Sequence, residues 1–346
     1  MAVSDFAVPE AASGLAAPAD TAPKRRFGGL AQVGLTLVGA YVVLAIMAGI
    51  ALAEFSLHLP KMPLYAPETY RVRYERQFDA RLRDVSLAAQ DGAVLRAWYI
   101  APANPNGRSV VLLHGIGGNR VWLSGYADIF LKRGYAVLLP DSRQHGASGG
   151  SIATYGVLER YDVRRWVGWL RARNPGCTYL LGESMGAAIG VEATAVTPQL
   201  CAVAVESPFA SFRPISIERL GWQTHLGSTF WATAGRPAIE VAFLWTKLRY
   251  HVYLPDASPV RAVAHSRVPV LLIAGTRDEN IPMHNALEIQ QACGKRCALW
   301  IVPGADHGAA AAIAPQEFGN RVVRWFAMHD PVGPLGAKTV GMARGR

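Results

Sequence analysis

Little in this sequence points to metal or nucleotide chemistry. Its 346 residues hold only four cysteines, Cys177, Cys201, Cys293 and Cys297, and no second cysteine pair or histidine pair stands at ligand spacing beside them. No metal and no organic cofactor is therefore expected. A nucleotide-binding glycine fingerprint, an internal repeat and a low-complexity tract are also missing, which sets aside dinucleotide-binding folds and solenoids. The formal charge of +10 is scattered among apolar and Gly/Pro-rich segments rather than gathered into a stripe, so no nucleic-acid partner is expected. A basic surface facing solvent or anionic lipid is the plainer reading. Hydrophobic residues make up 51% of the chain, ample for a buried core.

Charge is entirely missing from Phe27 to Ala53, where Gln32 is the one strongly polar residue, and Lys24, Arg25 and Arg26 stand just before this run. At ~1.5 Å per residue, a helix of that length crosses a ~30 Å hydrocarbon core with some tilt to spare. The run 27–53 is expected to be a transmembrane anchor. Ala51-Leu52-Ala53 resembles a signal-peptidase site, but the run is longer than the ~7 to 15 residues of a cleaved signal, so the anchor is expected to stay. The positive-inside rule then places residues 1–26, a tail expected to be disordered, in the cytoplasm and everything after Glu54 on the far side. All four cysteines fall on that side, and their even number suits an oxidising compartment. Cys293 and Cys297 are close enough for a small loop disulfide, with inert buried thiols as the alternative.

After a linker at 54–83, the pattern from Asp84 to Ile100 predicts two short strands around an Asp91-Gly92 turn. The buried run Ser109–Leu113 then opens an alternation of strands and amphipathic helices: helix 121–133, strand 136–140, helix 157–173, strand 178–182, helix 185–196, strand 202–206. It resumes with strand 268–274, helix 285–292, strand 298–302 and helix 316–328. This rhythm predicts an α/β fold with a mostly parallel, doubly wound sheet spanning 84–330. Residues 208–259 break it and are rich in aromatics, among them Phe209, Phe212, Trp222, Phe230 and Phe243. They read as an inserted cap, its aromatics chiefly core, with several facing an apolar pocket as the alternative. The tail 331–346 is expected to be disordered.

The chemistry concentrates at Gly182-Glu183-Ser184-Met185-Gly186, a G-x-S-x-G sequence where a buried strand turns directly into a helix. The turn is so tight that side chains at Gly182 and Gly186 would collide with their neighbours. Ser184 would stand exposed above the sheet at a helix N-terminus, where free N–H groups meet developing negative charge. A serine hydroxyl needs a base, and the base needs an orienting group. His307, in the loop after strand 298–302, and Asp278, after strand 268–274, emerge at the same sheet edge as Ser184. His225, His251, His284, His58 and His265 are worse placed, and Glu279 is the alternative acid. The backbone N–H groups of Ile116 and Met185 are the expected oxyanion donors. His114, before the first helix and out of order for a base, reads as a loop-stabilising residue.

His114-Gly115, the run Asp141 to Gly150, the elbow 182–186, Glu206-Ser207-Pro208-Phe209, Asp278 and His307 together resemble the α/β-hydrolase superfamily, most closely the BEM46/ABHD13-type and serine-aminopeptidase-like hydrolases, several of which carry an N-terminal membrane anchor. The resemblance covers about residues 84–328 and implies the α/β-hydrolase fold and its triad in the chain order Ser, Asp, His. Gln144 departs from the pattern, which has Gly there in an Arg-Gly-His-Gly turn. Asp141, Arg143 and His145 read as residues that lock this loop, with Asp162 as an ionic partner.

The expected reaction is ester hydrolysis through an acyl-enzyme on Ser184, with a lipid-like acyl ester as the first substrate class. An aminopeptidase-like amidase and a thioesterase share the chemistry; Glu183, Glu206 or Glu279 could then recognise a free amine. A membrane-tethered scaffold without turnover is the reading from another class, and it would normally lack a triad member.

Overall fold

The computed structural model describes residues 27–331. The expected tails, apart from Pro331, and the Lys24–Arg26 cluster lie outside the described residues.

Helix α1 (Phe27–Leu57) is uncharged up to Ala53, and its stretch Gly29–Leu57 is long and apolar enough to cross a membrane. By its contacts the chain divides into one unit ending at Leu44 and a second beginning at Ala45. Within the second unit, the end of α1 is part of the fold: Ala53 and Leu57 are buried, and Leu57 joins the main core. The segment 54–83, expected as a linker, holds α2 (Pro67–Phe78) as well as the end of α1. Proline at its first turn suits a helix start, and Tyr70, Tyr74 and Phe78 recur every four residues. That stripe is narrow among many charges, yet Tyr74 is fully buried and donates its hydroxyl to the Ser124 carbonyl at 2.9 Å.

Strands β1 (Ala80–Ala88) and β2 (Val94–Pro102) form the expected antiparallel hairpin. The core alternation follows with β3 (Ser109–Leu113), α3 (Ser124–Leu131), β4 (Ala136–Pro140), α4 (Glu159–Arg171), β5 (Thr178–Glu183), α5 (Met185–Val196) and β6 (Leu200–Glu206). Helix α3 is shorter than expected because the Asn119 side chain accepts the Val121 amide at 3.0 Å and turns the chain first. The segment 208–259, expected as a cap, holds α6 (Phe212–Thr224), α7 (Gly227–Ala232) and α8 (Arg236–Tyr250), and α9 (Pro259–Ala264) follows it. Then β7 (Val270–Gly275), α10 (His284–Cys293), β8 (Cys297–Val302), the short α11 (Ala310–Ile313) and α12 (Pro315–Met328) complete the domain.

The eight strands line up as β1-β2-β4-β3-β5-β6-β7-β8, with β3 to β8 parallel and β2 antiparallel to both its neighbours. Strand residues alternate between two faces: Val111 and Leu113 join one core, Val110 and Leu112 the other. Both faces are covered, as parallel strands require. In the cap, Phe209, Phe212 and Phe243 are core residues, whereas Trp222 and Phe230 stay exposed. Two disulfides, Cys177–Cys201 and Cys293–Cys297, each span 5.7 Å between Cα atoms. The first joins the residue before β5 to the second residue of β6; the second closes the short link from α10 to β8.

Candidate active site

Ser184 sits between the last residue of β5 and the first of α5, with φ 55° and ψ −118°. A non-glycine residue in such a conformation costs about 1–3 kcal/mol, sustained here by the packing around it. A Cβ at Gly182 would stand 2.4 Å from the Gly186 carbonyl oxygen, and one at Gly186 would stand 2.2 Å from that of Leu113. Larger residues would push the turn apart, and both glycines follow from its tightness.

The loops after β7 and β8 bring two side chains to this turn. His307 places Nε2 2.8 Å from Ser184 Oγ, and its Nδ1 lies 2.9 and 3.1 Å from the two carboxylate oxygens of Asp278. Asp278 is buried and also accepts the amides of Asn280 and Ile281, at 3.1 and 2.8 Å. Burial pushes its pKa up, but the hydrogen bond from His307, that of the Ile281 amide and the charge of His307 outweigh it and hold it below the usual carboxylate value. The acid stays ionised, so it fixes the Nδ1–H tautomer and leaves Nε2 free to accept the serine proton.

The expected oxyanion donors, Ile116 and Met185, each lie in a segment that adjoins Ser184. Met185 is the first residue of α5, whose N–H has no acceptor within its own helix. The Gly115 backbone lies against Ser184, a Cβ there reaching 3.3 Å from the serine Cβ, and the Ile116 N–H finds no acceptor among the described residues. His114 holds this loop. Its Nε2 accepts the Ser142 amide at 3.1 Å, so Nδ1 carries the proton and donates to the Gly115 carbonyl at 2.8 Å. Burial, with the nearby His145 second, lowers its pKa to about 4, which keeps it neutral.

The loop after β4 is locked as expected. Asp141 accepts from Arg120 and from the Ala147 amide, and Arg143 grips Asp162 through two bonds of 2.8 Å. Gln144 adopts φ 62°, so it keeps the left-handed turn that glycine would make more cheaply. Of the acids weighed for amine recognition, Glu183 accepts from the Trp122 indole at 3.1 Å and Glu206 from the Ala310 amide at 2.7 Å. Glu279 is exposed and apart from the triad contacts. The bond from Glu206 to Ala310 has no local signal in the sequence, since 104 positions separate them. His284 contacts Glu218 in the cap, and His58 the end of α1, away from Ser184. Among the described residues, no cluster of three or more His, Cys, Asp or Glu could hold a metal.

A strained serine on a strand-to-helix turn, faced by histidine and aspartate from later loops at the carboxyl edge of a mostly parallel sheet, defines an α/β hydrolase. The chain belongs to the alpha/beta hydrolase family, whose model matches residues 110–321. Among its relatives, the uncharacterized protein YqkD of Bacillus subtilis is 29% identical over 224 residues, 62% of this chain and 70% of that protein. An uncharacterized protein of Mycobacterium tuberculosis is 27% identical over 229 residues, 65% of this chain and 72% of that protein. The solved Pyrococcus furiosus esterase Pf2001 shares the fold, with a TM-score of 0.63, 21% identity, and coverage of 80% of this chain and 98% of that one. The family supports an enzyme of the hydrolase class.

Proposed function

We propose that the protein is a membrane-anchored serine hydrolase that cleaves a carboxylic ester through an acyl-enzyme on Ser184. The observation that carries this reading is the continuous chain from Ser184 Oγ through His307 to the buried, ionised Asp278. His307 Nε2 takes the serine proton as Oγ attacks the ester carbonyl, and Asp278 stabilises the imidazolium that forms. The Ile116 and Met185 N–H groups receive the oxyanion. The imidazolium then protonates the leaving alcohol, and water, deprotonated by the same histidine, releases the acid and frees the serine.

The amidase reading with an acidic amine subsite is less supported, because Glu183 and Glu206 are buried and already engaged by Trp122 and the Ala310 amide. A scaffold without turnover would have no need of a strained serine held 2.8 Å from a base. An uncleaved anchor agrees with the burial of Ala53 in a helix running on to Leu57, since a protease needs an accessible, extended segment. Both disulfides suit placement of the domain outside the cytoplasm. The anchor and the aromatic cap favour a lipid-like acyl ester as substrate.

The test is fluorophosphonate labelling of the full chain in detergent micelles, followed by peptide mapping. Label confined to Ser184 and lost in Ser184→Ala is the expected result. Folded protein that takes no label at Ser184 overturns the reading.

A further inference from the structure

The buried positions of α1 within the second unit, Gly49, Ala53 and Leu57, recur every four residues and so form one face. That face meets the cap. A Cβ at Gly49 would stand 2.5 Å from the Ala238 carbonyl oxygen and 2.6 Å from the Val241 Cβ, an approach that glycine alone permits. Five residues on, Glu54 accepts from the Trp245 indole at 2.6 Å and from the Tyr250 hydroxyl at 2.8 Å. The ring of His58 then lies 5.6 Å from that of Tyr250. As numbers rise along α1, their partners on α8 rise too, so the two helices run in parallel. The beginning of α8 is therefore the end nearer the apolar span.

What precedes that beginning is an apolar corner. Gly221 of α6 backs onto Ser228 of α7, and the Trp231 indole donates to Thr224 Oγ1 at 2.9 Å, which ties the end of α6 to α7. On this corner Trp222, Leu226 and Phe230 are 49%, 55% and 39% exposed. Scattered apolar residues on a surface need no explanation, but three on one tip, just before the start of α8 that Gly49 of α1 packs on, do. The length of that helix supplies it. None of the residues from Gly29 to Ala48 is buried, and at ~1.5 Å per residue they span roughly the ~30 Å of a bilayer's hydrocarbon. Gly49, the first buried position, then falls at the interface, with the start of α8 beside it.

We propose that the corner formed by α6 and α7 inserts Trp222, Leu226 and Phe230 into the headgroup boundary of the bilayer that α1 spans. The proposal rests on the reading of α1 as an uncleaved anchor. Tryptophan and large apolar residues are favoured at that depth, where part of each side chain meets lipid and part meets water. An acyl ester dissolved in the same leaflet would then meet the cap without crossing water.

The test uses the full chain in phosphatidylcholine/phosphatidylglycerol nanodiscs. Cysteine is introduced singly as Leu226→Cys, Phe230→Cys, Leu44→Cys in the span, and Ile301→Cys on the far edge strand, each labelled with an environment-sensitive dye. The native cysteines are paired, so the added thiol takes the dye. Quenching by lipids spin-labelled near the headgroup is expected to be several-fold stronger at 226 and 230 than at 301. Quenching at 226 and 230 no stronger than at 301, while position 44 is quenched, places the corner in water and overturns the proposal. No quenching at 44 means that α1 does not span the bilayer, and overturns it as well. Fluorophosphonate labelling of Ser184 in the same nanodiscs reads the hydrolase separately, so loss of either reading leaves the other measurable.

Discussion

Glu206 accepts the Ala310 amide on Oε1 at 2.7 Å, while its backbone carbonyl accepts the Ser184 amide at 2.9 Å. One residue at the end of β6 thus holds both the turn that carries the serine and the loop that carries His307. Glu206→Ala frees that loop, and a shift of about 1 Å in a reacting group can cost on the order of 10²-fold in rate. The expected loss falls on kcat, with KM for a short-chain ester changed little. Glu206→Gln keeps an oxygen that can accept the amide and should retain most of the rate. Steady-state kinetics of the two variants check this; equal losses in both would mean that the charge, and not the hydrogen bond, matters.

Burial, aided by repulsion from Glu183 and Asp278, raises the Glu206 carboxyl to about 7 from the ordinary 4.5. Between those values the folded chain binds more protons than the unfolded one, so this group's contribution to stability declines as pH rises from about 4.5 to about 7. Glu206→Gln removes that dependence. Its melting temperature relative to the parent should therefore climb across this window and level off above it. Thermal unfolding of both proteins from pH 4.5 to 8.5 is the measurement, and a constant difference would show that the carboxyl ionises normally in the fold.

If Ser184, Asp278 and His307 act as one unit, Ser184→Ala and His307→Ala should each lower ester hydrolysis by several orders of magnitude, roughly 10⁴-fold or more. The double variant should lose little beyond either single one. Additive losses in kcat/KM would instead mean that the two side chains act independently.

That Ser184, Asp278 and His307 meet at one sheet edge was legible in the sequence because each follows a recognisable buried strand, and β3, β4 and α5 have the bounds that their apolar runs predict. The G-x-S-x-G spacing reports the tightness of one local turn, which is a property of neighbouring residues. The grip of Glu206 on Ala310 is not local, so no pattern announces it. Helix α2 was hidden for a different reason: its three-residue aromatic stripe is outnumbered by charges, and only packing against α3 and β1 shows it as structure. The packing of α1 against α8 escaped because an apolar run reads the same whether it faces lipid or protein. Gly49 becomes informative only once α8 lies against it.

His114 offers a narrower test of the proposed oxyanion loop. It joins the Ser142 amide to the Gly115 carbonyl, so His114→Ala should loosen the backbone that presents the Ile116 N–H. Loss of one oxyanion donor costs about 10²- to 10³-fold in kcat. Because burial keeps His114 neutral above its pKa of about 4, the variant should lower the pH–rate profile between pH 6 and 9 without changing its shape. A changed shape would mean that His114 exchanges protons during turnover.

The last turn of α1 behaves as core rather than as tether. Leu57 is fully buried in the main cluster, its carbonyl accepts the Ala153 amide at 2.9 Å, and the neighbouring Ser56 carbonyl accepts the Tyr155 hydroxyl at 2.8 Å. Truncating a buried leucine to alanine costs about 2–5 kcal/mol, through lost transfer energy and the cavity left behind. Leu57→Ala in the full chain should lower the urea midpoint accordingly, whereas Phe55→Ala, 75% exposed two residues earlier, should leave it almost unchanged. Removal of residues 1–59 deletes the same contacts at once and should destabilise the soluble remainder at least as much as Leu57→Ala. A fragment beginning at Pro60 with undiminished stability would show that α1 contributes nothing to the fold.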